Sequence, residues 1–493
     1  MAEISEETLK KAEEFKLTAN DHFGKQKYAL AIDFYSKAIE LNSKNAVYLS
    51  NRAFAYAKLE QYGAALQDAS AAIDVDPKYI KAYYRRGSAN LLLGKYKEAL
   101  KDFKKVVGIL PKNAEAQEKF KQCEKIVRQM AFESAIATED EKPLSETLDV
   151  ESISVESSYD GPHLMDGKVD LSFVQQLVAH LKAQKKLHTK YLYQILIEMK
   201  KLLCKLPSLI DIEVPEGNSF SVCGDTHGQY YDLLNIFEIN GQPSIENPYL
   251  CESQMSTRKL IPPVNGDYVD RGSFSLELVL TLFAYKLLYP DHVHLMRGNH
   301  ETINMNRMYG FEGEVTQKYS KKCFDLFTEV FNWLPLSACL NKKVIIVHGG
   351  LFSKDGVKLD DMRKISRNRQ PPDEGLMCEL LWSDPSPFPG RSPNKRGVGV
   401  AFGPDVTHKF LKDNNLQMVV RSHEVKEEGY LVEADGKLVT VFSAPNYCDS
   451  VGNKGALIRF DSQMNPKYVQ FTAVPHPAIK PMAYASNYNM FMK

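Results

Sequence analysis

Residues 12 to 113 repeat themselves with a period of 34, and no other feature limits the fold of this part of the chain so closely. Ala19, Ala53 and Gly87 share one column, Ala31, Ala65 and Ala99 a second, and Tyr28, Tyr62 and Tyr96 a third. Ser43, Pro77 and Pro111 close the units. Small residues let paired helices approach closely, aromatic rings fill the space between neighbouring pairs, and proline stops the second helix of each pair. Units of this length cannot bury an apolar face alone, so they must stack. Lys112 to Phe132 continues as an amphipathic run with Ala116, Phe120, Cys123, Ile126, Val127 and Met130 on one side, which supplies the cap a stack needs.

A 34-residue unit with small residues at its eighth and twentieth positions resembles the tetratricopeptide (TPR) repeat. The resemblance implies an all-α superhelix of three repeats plus a capping helix over residues 12–133. Stacked hairpins form a concave groove that binds and does not catalyse. Lys16, Asn20, Asn51, Lys81 and Arg85 take inner-helix positions. By spacing alone, an anion clamp and ordinary solvated charges are equal readings. The resemblance to the TPR subclass that grips a C-terminal carboxylate implies the clamp, with the tails of Hsp90- or Hsp70-type chaperones as partners.

The chain of 493 residues has room for two or three domains. Its formal net charge of +0 gives no overall field to draw it to nucleic acid or an anionic membrane. Eight cysteines are scattered without paired spacing and read as reduced thiols. Met1-Ala2-Glu3 opens no apolar signal region, and no apolar run spans a bilayer. The expectation is a cytoplasmic and nuclear protein. From Thr138 to Asp160 eight acidic residues face one basic residue, Lys142, so residues 134–168 are expected as an acidic, exposed linker.

Three short motifs follow, each where a hydrophobic run stops: Gly224-Asp225-Thr226-His227-Gly228, Gly266-Asp267-Tyr268-Val269-Asp270-Arg271-Gly272 and Gly298-Asn299-His300-Glu301. A strand that ends in glycine and then a carboxylate, imidazole or amide delivers polar atoms to the carboxyl edge of a sheet, where ligands bind. Mixed Asp, His and Asn donors without thiolate suit divalent ions of intermediate hardness.

With His348-Gly349-Gly350, Arg421-Ser422-His423-Glu424 and Ser443-Ala444-Pro445-Asn446-Tyr447-Cys448, the motifs resemble, in order, those of the metal-dependent phosphoprotein phosphatases, the PPP family of Ser/Thr phosphatases. The resemblance implies an α/β metallophosphoesterase sandwich flanked by helices over residues 169–478, with a regulatory tail over 479–493. It implies two divalent ions, manganese or an iron and zinc pair: Asp225 and His227 on the first, Asp267 bridging, and Asn299, His348 and His423 on the second. Water activated between them attacks phosphoserine or phosphothreonine of protein substrates. Arg271 and Arg396 would grip the phosphoryl oxygens, His300 would protonate the leaving oxygen, and Asp270 would orient His300. For Tyr447, lining the pocket with donation to phosphate and simple packing stay open. TPR repeats before such a domain further imply autoinhibition by the repeats, with Glu60 reaching the catalytic pocket and chaperone tails or fatty acids relieving it.

The sequence departs from the family pattern at 251–263, where about 13 extra residues end in Pro262-Pro263 before the strand that leads to Asp267. Two outcomes are open. Either the segment loops out and leaves the ligands in place, or the strand loses pairing and the chain is a catalytically impaired TPR co-chaperone.

Overall fold

A computed structural model describes residues 5–136, 142–241 and 265–485. It forms two compact units: Met1–Glu141 with Pro393–Val398, and Lys142–Ser392 with Gly399–Asn489. The segment 251–263 and the chain beyond Ala485 lie outside the described residues.

In the first unit, helix Glu6–Gly24 pairs with Tyr28–Leu41, Ala46–Lys58 with Tyr62–Val75, and Ile80–Leu92 with Tyr96–Ile109; helix Ala114–Ile136 follows. Both small-residue columns are buried, and a methyl at Gly87 would press on Asp102 and Phe103 at 3.1–3.3 Å. The turn inside each hairpin passes through a left-handed residue in the same column: Gln26 (φ 59°), Glu60 (φ 60°) and Gly94 (φ 72°). Glycine stands at that position in the third repeat alone, so the first two carry backbone strain there. A period-34 ion pair also emerges. Arg52 forks onto Asp68 at 2.7 and 2.8 Å, and Arg86 onto Asp102 at 2.9 and 2.8 Å. The first repeat has Thr18 and Phe34 at those positions.

The second unit is built on a six-stranded mixed sheet. Its order is Leu209–Ile212, Ser337–Leu340, Val344–Val347, Met418–Arg421, Leu438–Val441, Tyr430–Glu433. Val344 and Ile346 join one apolar cluster while Ile345 and Val347 join another, so this strand is buried on both faces and reads as a continuous apolar run. The first cluster also takes Phe220, Val222, Leu457 and Ile458 from the sheet Pro466–Phe471, Gly455–Asp461, Ser219–Cys223, and the apolar faces of helices Leu171–Lys182, Thr189–Leu203 and Ser275–Leu288. One core thus joins both sheets, and helices Leu376–Trp382 and Pro404–Asn414 cover the other face of the larger one.

The stretch expected as an acidic linker differs from Lys142 onward. That portion belongs to the second unit, where the Leu144 and Ser145 N–H groups donate to Glu329 at 2.6 and 3.4 Å, and Lys200 pairs with Glu329 at 2.9 Å. Val150 and Leu164 are buried, with Leu144, Leu148, Ile153 and Val155 packed beside them. Apolar residues every two to four positions attach the segment, a spacing its acidic composition hides. Among the described residues no helix is long and apolar enough to cross a membrane.

Candidate metal centre and active site

Asp225 follows strand Ser219–Cys223 and is buried; its carboxylate accepts the His423 N–H at 3.1–3.3 Å. His227, two residues on, has φ 41°, and its Nδ1–H donates to the Val269 carbonyl at 3.1 Å. That bond fixes the tautomer and turns Nε2 toward Asp267 Oδ2 at 3.5 Å and Asp225 Oδ2 at 3.9 Å. His348, after strand Val344–Val347, repeats the device: Nδ1–H donates to the Asn265 carbonyl at 2.8 Å. Its Nε2 then faces Asn299 Oδ1 at 2.8 Å and Asp267 Oδ1 at 3.4 Å. His423 sets its Nδ1 at 3.2 Å from Asp384, which also receives the Arg421 guanidinium at 2.7 Å.

Asp267 stands in the middle. The donor atoms of His227, Asp267 and His300 converge as one group and those of Asp225, Asp267 and His348 as another, so Asp267 belongs to both. This grouping cuts across the partition implied by the resemblance, since Asp225 sits with His348 and His227 with His300, but it keeps Asp267 as the common member. Glu301 holds Asp267 in a left-handed conformation (φ 52°) by accepting the N–H groups of Asp267, Tyr268 and Gly298 at 2.8–2.9 Å. Gly266 and Gly298 pack backbone to backbone, and a methyl at Gly298 would strike Asp267.

The donor set fits divalent ions. Burial and the neighbouring Asp267 push the Asp225 carboxyl up to about 8, while burial holds His227 and His348 below the usual imidazole range. Two buried carboxylates side by side repel, and the Nε2 lone pair of His348 points at the carbonyl oxygen of Asn299. A cation between these atoms resolves both conflicts. Mixed O and N donors around one shared carboxylate suit a dinuclear site.

Beside this cluster His300 Nδ1 bonds Asp270 Oδ2 at 2.8 Å. Asp270 also accepts from the Phe311 N–H at 3.0 Å and Asn306 Nδ2 at 3.1 Å, and burial pushes it up to about 7. The Arg271 guanidinium lies on the Tyr309 ring, 3.7 Å from its centroid. Tyr447 packs 5.2 Å from the His227 ring. Arg396 falls in the segment grouped with the first unit, its N–H donating to Asn394 Oδ1 at 2.9 Å.

Sequence reasoning missed Glu301, Asp384 and Asn306, the residues that hold the ligands and His300 in place. Only Glu301 carried a signal, by directly following Asn299-His300.

In the helical unit Asn20 accepts from the Tyr35 hydroxyl at 2.6 Å and from Asn51 Nδ2 at 3.4 Å. Lys16 pairs with Glu13, and Arg85 stacks on Phe54 at 3.4 Å. Lys81 is exposed on helix Ile80–Leu92.

Comparison with known proteins places these features in a family. Residues 219–427 match the calcineurin-like phosphoesterase family, 80–113 the tetratricopeptide repeat, and 120–211 the PPP5 TPR repeat region. Serine/threonine-protein phosphatase 5 of Rattus norvegicus is 57% identical over 484 residues, covering 98% of this chain and 94% of its own. The protein of the same name from Arabidopsis thaliana is 53% identical over 537 residues, covering 97% of each. A solved protein serine/threonine phosphatase from Saccharomyces cerevisiae, described as similar to human phosphatase PP5, superposes with a TM-score of 0.58 at 41% identity. The match covers 64% of this chain and 99% of that one.

Proposed function

The chain belongs to the serine/threonine-protein phosphatase 5 family, and from that membership we propose that it hydrolyses phosphoserine and phosphothreonine esters of proteins. The observation that carries the reading is the membership of Asp267 in both donor groups. Asp225, His227, Asp267, Asn299, His348 and His423 would hold two divalent ions, manganese or an iron and zinc pair. Bound there, such ions polarise phosphoryl oxygens and make water acidic enough to attack near neutral pH.

The remaining roles belong to side chains of this protein. Arg271, kept flat against Tyr309, offers a planar fork of donors to the phosphoryl oxygens, and Arg396 supplies the second fork. His300, held through Nδ1 by Asp270, gives its Nε2 proton to the departing seryl or threonyl oxygen. Asp270 is itself fixed by Phe311 and Asn306, so the imidazole keeps its aim through turnover. Tyr447 lines the same pocket beside His227.

The helical unit docks the C-terminal carboxylate of an Hsp90- or Hsp70-type chaperone through Lys16, Asn20, Asn51, Lys81 and Arg85, and restrains basal turnover through Glu60; fatty acids release it. Cytoplasm and nucleus agree with the buried free thiols of Cys123, Cys223 and Cys323.

The test pairs metal content with turnover of a phosphoserine peptide. Two ions per chain, and hydrolysis that stops on chelation and returns with manganese, are expected. Fewer than two ions with no hydrolysis would leave a chaperone adaptor. Removing residues 1–137 raises basal turnover if the repeats restrain it.

A further inference from the structure

Three residues that follow site residues directly, Gly228 after His227, Gly272 after Arg271 and Cys448 after Tyr447, line one cavity of about 30 Å³ within the second unit. The cavity thus borders three separate chain segments that carry site residues. Tyr231 and Phe274 form aromatic walls, their rings in edge contact at 5.1 Å. The carboxylate of Asp232, 4% exposed, lines the cavity and accepts from the Val474 N–H at 2.9 Å and Gln229 Nε2 at 2.8 Å. At the rim Asp449 is bonded by His476 Nε2 at 3.1 Å, and the His476 ring meets Phe274 at 6.1 Å.

We propose that this cavity is a substrate subsite that takes the ammonium end of a lysine lying close in sequence to the phosphorylated residue. The assignment rests on the phosphatase reading of the neighbouring centre. Space for water-sized groups in this cleft accommodates an ammonium with its last methylene. Aromatic walls pack the aliphatic stem and attract the cation; the carboxylate of Asp232, and that of Asp449 as an ammonium replaces His476 beside it, supply the opposite charge. An acidic side chain would meet Asp232 and Asp449 and be turned away, so the cavity selects among phosphoproteins by charge.

The experiment compares full-length enzyme with its Asp232→Asn and Asp449→Asn variants on two substrates. One is a small aryl phosphate, which cannot reach the cavity; the other is a set of phosphoserine peptides with a single lysine walked along the positions flanking the phosphoserine. For the unaltered enzyme, lysine at one position lowers KM about tenfold against alanine. In both variants that preference falls below about twofold, with aryl phosphate turnover unchanged. Asp449 is exposed, so its variant remains informative if replacing the buried Asp232 disturbs folding. Normal aryl phosphate turnover without a lysine preference, or a preference that survives both substitutions, overturns the subsite. Failure to hydrolyse either substrate with manganese present overturns the phosphatase reading itself.

Discussion

In the helical unit Lys16, Asn20, Asn51, Lys81 and Arg85 project from regular helices. In the catalytic unit His227, Asp267, Asp270, Arg271 and His423 all sit at left-handed backbone angles, with φ between 41° and 72°. Each such residue costs about 1–3 kcal/mol and persists only where its surroundings over-determine it. Glu301, gathering three N–H groups around Asp267, is one such brace. In the repeats the buried alanines and the Arg–Asp pairs that hold the fold are residues other than the five proposed for the carboxylate clamp. The catalytic unit spends backbone strain and buried charge to bring donor atoms together, so the same residues decide both stability and activity there.

The contrast breaks most visibly at Asp267. Asp267→Asn is expected to lower kcat by about a thousandfold or more and to release metal, read by elemental analysis of the purified protein. A variant that retained two ions and near-normal kcat would remove Asp267 from the centre. Asp270→Asn leaves metal content intact and lowers kcat about a hundredfold, because His300 loses its orienting carboxylate. The pH profile of kcat should change shape in that variant while KM stays within about twofold.

Asp102→Ala probes the other region. Loss of the fork from Arg86 is expected to cost about 2 kcal/mol, less than a fully buried pair because the arginine is partly exposed. Denaturant unfolding of the helical unit would show it, with kcat on a phosphopeptide unchanged. Lys81→Ala, on the solvent face, is expected to weaken binding of an acidic C-terminal peptide about tenfold with no shift in melting temperature. A large loss of stability there would mean that binding and folding share residues in the repeats as well.

The smallest effect concerns pH. Burial pushes Asp225 and Glu301 up to about 8 and Asp270 up to about 7. A carboxyl raised in the fold above its unfolded value, roughly 4, holds its proton better when folded. Its contribution is complete below that unfolded value and is lost as pH rises through the folded one. Chelated protein should therefore melt a few degrees lower at pH 8 than at pH 5.5, while manganese-loaded protein changes less over that window because bound cations replace the protons. An equal response with and without metal would show that these carboxyls are not what the ions neutralise.

Much of this was legible in the sequence, for identifiable reasons. The period of 34 shows because every hairpin must solve the same packing problem, so the same columns recur. The donor residues show because Asp225, His348 and His423 come just after strands, and Asp225, His227, Asp267, Asn299 and His348 each adjoin a glycine. Asp384, Asn306 and Glu301 stayed hidden because an orienting residue needs only the right place in space: Asp384 lies 39 residues before His423 along the chain, and nothing in Trp382-Ser383-Asp384 marks it. The segment from Lys142 to Leu164 stayed hidden for another reason. Charge dominated its composition while a few spaced apolar side chains determined where it attaches.

Gly266 and Gly298 meet where neither has room for a single extra carbon, and Asp267 is threaded between them. Mutation there has no gentle first step: the smallest replacement displaces the aspartate shared by both donor groups, so a lineage cannot tune catalysis gradually from these two positions. Variation in rate among descendants of this chain would have to enter from farther out, through the residues that hold the imidazoles and through the walls that meet the substrate.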